Sequence, residues 1–300
     1  MRLGWLSIVG EHFSLGDVRD VRTKLKFLIT VIILISLSAG ALIFTSQRKE
    51  VETETRTIRI GSVKGLKLIV VVDNYPDSGL KTAWGLSILA KTPKNTILFD
   101  TGPDPNVLRD NLKKLGVDPS EIDFVVISHE HWDHVGGLSY IAEVRPGLKV
   151  YVPKGAGGRI KIHGLDVEEV DKTMEVAEGV AVIGWLYGPP AEEALAINVE
   201  GKGLVILVGC SHPGVANIVA KAKNDLGVKP YLVLGGFHMA GASGSSCRET
   251  IKRLIELGVE RIAPIHCSGD TIRSILEEEY PQNWLKCHVG SIVEVSASAP

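Results

Sequence analysis

The sequence predicts an α/β domain. Three observations carry that class: short apolar runs rich in Val and Ile, amphipathic helical stripes lying between or after them, and a Gly-containing two-residue turn that joins two of the runs. The runs in order are LKLIVVVDN (66–74), GLSILAK (85–91), NTILFD (95–100), DFVVIS (123–128) and LKVYVP (148–153), each bounded by Gly, Pro, Asp or Asn. Their length is that of strands, and near-continuous apolar character marks strands covered on both faces.

Helical patterns follow at 107–115, 138–144, 215–226, 247–257 and 271–279. In the fourth, Ile251, Leu254 and Ile255 share one stripe, Lys252, Arg253 and Glu256 fall opposite, and Gly258 ends the helix. Two further runs, ALAINVE (194–200) and GLVILVG (203–209), flank Gly201-Lys202 and predict a hairpin. An antiparallel pair inside an otherwise parallel pattern makes the sheets mixed.

The chain has 300 residues, 45% of them apolar, which is enough for a large core and excludes disorder as the main state. A net charge of −2 and a pI near 6.5 provide no broad positive field, so nucleic acid is not expected as a partner and a small-molecule substrate is. Cys210, Cys247, Cys267 and Cys287 are scattered and form no CxxC pair. Cys267, beside His266, can reach a metal, but a single Cys reads first as a small buried hydrophobe.

Before the domain, residues 27–44 (FLITVIILISLSAGALIF) carry no charge and approach the length needed to span a bilayer. The expected organisation is an N-terminal segment (1–26), a transmembrane helix or cleaved signal (27–45), a polar linker (46–57) and one catalytic domain (58–300). The small residues at 38–41 fit signal cleavage, and either reading puts the domain outside, with the membrane as a partner if the helix is kept and a cytoplasmic domain as the alternative. A buried core helix is the competing reading.

Residues 128–137, SHEHWDHVGG, follow directly on the strand at 123–127. His129, His131, Asp133 and His134 pack three imidazoles and a carboxylate into six positions, a nitrogen and oxygen donor set suited to zinc and its neighbours. His129 and His131, two apart in an extended loop, can point to one side, while Asp133 and His134 reach a second position. A histidine-rich surface loop arising by chance is the bland alternative. His212 in GCSHPG, His238 in GGFH and His266 in PIHC each follow a predicted strand, so all three can converge on one sheet edge. His163 and His288 lack that setting.

These residues resemble a known family. HxHxDH, preceded by LFDTG (98–102) and followed by isolated histidines, is similar to the metallo-β-lactamase superfamily, whose fold is an αββα sandwich. Asp73-Asn74-Tyr75, Gly85-Leu86-Ser87, GCSHPG, GGFHMAG and PIHCSG occur in the order of one branch, which contains methanopterin-pathway pterin synthases. The resemblance implies that His129, His131 and His212 hold one divalent ion, and Asp133, His134 and His266 another. These are expected to be zinc, with manganese or iron as alternatives. Asp100 is implied to brace the loops. One departure stands out: where many members carry a bridging Asp after the fourth strand, this chain offers Phe237 and His238, so His238 is open to ligation, substrate contact or support.

The chemistry implied is hydrolysis of an ester, phosphoester or similar bond by water activated between two metals, with Asp133 and His238 as catalytic candidates. The branch implies an alternative, pterin transfer with release of diphosphate. A membrane-tethered metal-binding module without turnover is a third reading. Asp73, Asn74, Trp132 and Phe237 are substrate-contact candidates, with Trp132, Tyr75 and Phe237 able to stack on a flat ring, although aromatic side chains more often serve the core. The stretch GAGGRIK (155–161) reads as a solvated loop, with phosphate binding beside Arg159 and Lys161 as the alternative.

Overall fold

A computed structural model describes residues 23–24, 26, 28–30, 57–76, 79–160 and 164–297. The chain divides into two units, Met1–Thr55 and Arg56–Pro300. In the first unit the described residues are helical. The apolar run at 27–44 lies outside the described residues except for 28–30, and no helix among the described residues is long and apolar enough to cross a membrane.

The second unit holds two mixed sheets. The first has the order β13-β1-β2-β3-β4-β5-β6, built from β1 (Gly65–Val72), β2 (Ser87–Lys91), β3 (Thr96–Phe99), β4 (Phe124–Val126), β5 (Lys149–Pro153), β6 (Asp166–Val170) and β13 (Ile292–Ser296). The second runs β12-β11-β10-β9-β8-β7, from β7 (Met174–Ala177), β8 (Val180–Tyr187), β9 (Ala191–Val199), β10 (Gly203–Val208), β11 (Pro230–Gly236) and β12 (Arg261–Ile265). β3 to β6 pair in parallel, as do β10 to β12, while β1 to β3 and β7 to β10 are antiparallel. The expected hairpin joins β9 to β10, with Val199 opposite Gly203.

Alternation along the strands explains the layers. In β1, Leu66, Leu68 and Val70 face the core between the sheets, while Ile69 and Val71 face the helices outside. Those helices are α1 (Pro105–Lys114) and α3 (Leu138–Val144). In β9, Leu195, Ile197 and Val199 fill the same central core, and Ala194 and Ala196 lie under α5 (Val215–Leu226), α6 (Gly244–Leu257) and α7 (Asp270–Glu279). Both sheets are therefore buried on two sides, giving the αββα sandwich that the resemblance implied. Two short helices, α2 (Trp132–Val135) and α4 (Gly157–Ile160), complete the set.

Helix ends are set locally. Asp104 caps α1 by accepting from the N–H groups of Asn106 at 2.7 Å and Val107 at 3.2 Å, with Pro105 in the first turn. Asn111 on the buried face of α1 donates to the carbonyls of Val71 and Lys81, both at 2.8 Å, and ties the end of β1 to this helix.

The functional loops leave from the ends of β3, β4, β10, β11 and β12. Among the described residues, the non-glycine positions with left-handed backbone are Asp100, Ser211, His238 and His266, with φ between 51° and 62°. Each stands just past a strand at this one edge. Such backbone is costly for side chains with a Cβ and collects at functional sites.

Candidate metal centre

The HxHxDH segment is held against the loop after β3 by close backbone approach. A Cβ on Gly136 would lie 2.1 Å from the Pro103 carbonyl oxygen, and one on Gly137 2.2 Å from that of Thr101. This explains the Gly-Gly that follows the histidines. Thr101 clamps the same segment, donating from both its N–H (2.8 Å) and its hydroxyl (2.9 Å) to the His134 carbonyl. His129 and His131 come from extended backbone, whereas Asp133 and His134 sit in the single turn of α2.

Asp100 is fully buried and organises three groups: Oδ1 accepts from the Ser128 N–H at 2.7 Å, and Oδ2 from the Ser128 hydroxyl and from His134 Nδ1, each at 2.7 Å. Because the Ser128 proton goes to Asp100, its oxygen accepts from His129 Nδ1 at 2.9 Å. On the opposite side, Asn74 donates to the His266 carbonyl at 3.1 Å, leaving its own oxygen to accept from His266 Nδ1 at 3.2 Å. Three imidazoles are thus fixed with Nδ1 protonated and the Nε2 lone pair turned towards the other donors, with His129 Nε2 3.1 Å from His131 Nδ1, the orientation needed for ligation.

Those lone pairs converge. His129, His131 and His212 each offer a ligand atom, all within 4.8 Å of one another, and Asp133, His134, His266 and Cys210 form a second group by the same measure. In the second group, Cys210 Sγ is 3.3 Å from His134 Nε2 and 3.4 Å from His266 Nε2, and Asp133 Oδ2 is 3.4 Å from His266 Nε2 and 3.7 Å from His134 Nε2. A tetrahedron with metal–ligand bonds of about 2.1 Å has edges of roughly 3.4 Å, so these donors fit a divalent ion. His212 Nε2 is buried with no hydrogen-bond partner among the described residues, an unmet need that an ion in the first group would satisfy. The rings of His129 and His134 are 4.1 Å apart, so the two groups adjoin.

The electrostatics favour cations. Burial, reinforced by the surrounding histidines, holds His129 well below its ordinary value, and burial lowers His212 to about 4, so both stay neutral. Burial pushes His134 down as well, but Asp100 beside it reverses the direction. Burial acts to raise Asp133, yet His266 and His134 bring it below the usual carboxylate range, so it remains an anionic donor.

The structure brings together every histidine singled out by the sequence at this edge. His238 is exposed, its ring is tilted against that of His212 with centroids 4.5 Å apart, and it forms a third donor group with His212 and Cys210. Its N–H donates to Cys267 Sγ at 3.3 Å, and the hydrogen bond between the two side chains raises the imidazole above its ordinary value.

Several expectations need correction. Asp73 is fully buried, and its Oδ1 accepts from the His266 N–H at 2.8 Å, so it braces His266 and is closed to a substrate-contact role. Asn74 spends its amide on the same histidine. Phe237 is 2% exposed and packs beneath the outer helices, though it also forms part of the wall of a cavity beside His212, while Tyr75 is covered by the Arg273 guanidinium at 3.9 Å. Trp132 stays open, and Trp84, 5.1 Å from the His266 ring, joins it at the rim.

Sequence reasoning missed two residues. Cys210, not Cys267, stands among the donors, and its signal was the one used for the histidines: a ligand-type side chain at the end of an apolar strand. It occupies the place after β10, where the sequence reading sought a carboxylate further along the chain. Glu192 accepts from the N–H groups of Ser211 at 2.7 Å and His212 at 2.8 Å, fixing the loop, and burial raises its carboxyl to about 7.

Comparison with known proteins agrees with this fold. The sequence profile of the metallo-β-lactamase superfamily matches residues 85–266. The chain is 28% identical to 7,8-dihydropterin-6-methyl-4-(β-D-ribofuranosyl)-aminobenzene-5′-phosphate synthase of Methanocaldococcus jannaschii, over 79% of this chain and 99% of that protein. Among solved structures, Tm1679, a metal-dependent hydrolase of the β-lactamase superfamily, superposes with a TM-score of 0.68 at 26% identity, covering 77% of this chain and 99% of the other. A diphosphatase of the PhnP family shares the fold with a TM-score of 0.54 at 14% identity, covering 78% and 98%. The chain belongs to the metallo-β-lactamase superfamily.

Proposed function

We propose that this chain is a metal-dependent hydrolase that cleaves an ester, phosphoester or similar bond. The observation that carries the reading is the pair of adjoining donor groups, His129, His131 and His212 beside Asp133, His134, His266 and Cys210. With a sulfur donor in the second group, zinc is the favoured ion. These residues would hold two divalent ions, which would supply a lowered pKa for a water and charge compensation for a departing oxygen.

The chain's own residues do the rest. Asp100, Asn74 and Asp73 orient the ligands, so no reorganisation is required during the reaction. Asp133, held anionic, is a ligand and not a proton donor. His238, exposed and made more basic by Cys267, is the group able to carry a proton at its ring nitrogen to a leaving oxygen.

Turnover of a panel of esters and phosphodiesters tests this reading, comparing the wild type, a chelator-treated sample and His131→Ala. A loss of roughly 100-fold or more is expected for both treatments. Equal rates in all three would defeat the proposal. Full metal content with no turnover on any substrate would favour a metal-binding module.

A second reading is transfer of a pterin group from its diphosphate to an aminobenzene acceptor. It is supported by the likeness to the synthase along nearly its whole length, and by two cavities flanking the donor groups, about 310 Å³ beside His212 and 570 Å³ beside His131. Diphosphate release that does not depend on the acceptor would count against it. The uncharged run at 27–44 supports a membrane tether with the domain outside, which protease accessibility in intact cells checks.

A further inference from the structure

The larger cavity lies beside His131 and has a volume of about 570 Å³, the size of a small-molecule pocket. Two features of its wall are not explained by packing. Tyr187 is 72% exposed, although β8 is otherwise mostly buried, and Trp185, two residues earlier, lines the same space. Residues two apart on a strand share a face, so β8 presents an aromatic surface to the cavity.

The other feature is cationic. Lys154 and Arg159 line the cavity from the segment after β5, and each is braced by a carboxylate: Lys154 by Asp171 at 3.0 Å, Arg159 by Glu130. Asp171 also accepts from Trp185 Nε1 at 3.3 Å, so one aromatic ring and one cation are positioned by the same group. Glu130 precedes His131 in the chain, which places Arg159 next to the metal loop. An ammonium has three N–H donors and a guanidinium five, so both cations retain donors beyond their ion pairs. Exposed ion pairs of this kind add little stability by themselves, and burial does not explain them either.

We infer that this cavity is the substrate-specificity pocket of the site, and that it takes a flat ring carrying a phosphoryl group, the ring against Trp185 and Tyr187 and the phosphoryl oxygens on Lys154 and Arg159. The assignment rests on the metal-centre reading, since His131 joins the pocket to the donor groups. Planar bidentate recognition suits Arg159, and charge-assisted hydrogen bonds make the phosphoryl group the anchoring end. The ring then selects among phosphorylated compounds.

The test is titration calorimetry on the full-length, zinc-loaded chain with phenyl phosphate, and with phenol and inorganic phosphate as its two halves, with the phenol released in each run measured so that heat of cleavage is subtracted from heat of binding. Phenyl phosphate is expected to bind about tenfold or more tightly than either half. Lys154→Gln combined with Arg159→Gln lowers phenyl phosphate affinity roughly tenfold, and Tyr187→Ala lowers it about threefold while leaving inorganic phosphate binding unchanged. Zinc content, measured on the same samples, stays at the wild-type level. Normal zinc with wild-type phenyl phosphate affinity in the double variant, or phenyl phosphate binding no better than inorganic phosphate, overturns the pocket assignment alone. A wild-type chain that binds no zinc overturns the metal-centre reading and the pocket with it.

Discussion

The Sγ of Cys210 lies 3.3 Å from Nε2 of His134, at the end of β10 and between two imidazoles whose other nitrogens are already committed. A soft donor at this point changes the character of the second group from one of nitrogen and oxygen alone. Cys210→Ser keeps the volume and replaces sulfur with oxygen. The second ion should then bind about 10- to 100-fold more weakly. Cobalt-substituted protein checks this directly, because the thiolate-to-metal absorption band in the near ultraviolet should vanish in the variant. A band of unchanged intensity would remove Cys210 from the donor set.

Asp100 concentrates the support of the centre in one buried carboxylate. Asp100→Ala strands the Ser128 N–H, the Ser128 hydroxyl and His134 Nδ1 together, a loss of about 3–5 kcal/mol typical of breaking a buried charged network. Metal affinity should fall by roughly 10- to 100-fold in the same variant. Chemical denaturation and competitive metal titration measure the two effects. Loss of stability with metal affinity intact would mean that Asp100 serves the fold alone.

The Gly-Gly after the histidines yields a steric prediction. Gly136→Ala would put a Cβ 2.1 Å from the Pro103 carbonyl oxygen, so the metal loop must move away from the loop after β3. The cost should be about 1–3 kcal/mol, with weaker metal binding. Gly158→Ala is the control, since nothing among the described residues lies within 4 Å of its added Cβ. Thermal unfolding with and without zinc distinguishes them, and equal behaviour of the two variants would refute the close-approach argument.

Glu193 is fully buried on β9 with neither carboxyl oxygen hydrogen-bonded among the described residues, and burial, with Asp100 nearby, raises it well above 4.5. The native state therefore holds a proton that the unfolded chain releases near its ordinary value. Stability should fall as pH rises above about 4.5, by about 1.4 kcal/mol per pH unit, until the native carboxyl itself ionises. Glu193→Gln lacks this slope. Denaturant unfolding at pH 5 and pH 8 should show the variant gaining on the wild type at the higher pH, and parallel curves would contradict the sign.

Much of this was legible in the sequence because strand periodicity and ligand chemistry are local. Helices Leu138–Val144 and Val215–Leu226 have the predicted bounds, since each carries a continuous apolar stripe. The strands β6, β7 and β13 were missed because their mixed polar composition reflects partial exposure at or near the sheet edges, and β8 was missed as well although it is apolar over most of its length, with Gly184 interrupting it where its register against β9 shifts. Within the site, the histidines announced themselves by type and position. The roles of Asp73, Asn74 and Glu192 depend on contacts between segments far apart in the chain, such as Asp73 with His266, and no spacing rule encodes those.

The most direct test of the account is metal stoichiometry in the purified full-length chain by elemental analysis, beside His131→Ala and His266→Ala. Two ions per wild-type chain are expected, with each variant keeping one because each removes a ligand from a different group. A wild-type chain that retains no stoichiometric metal, or variants that both retain two, would contradict the assignment of these residues to a binuclear centre.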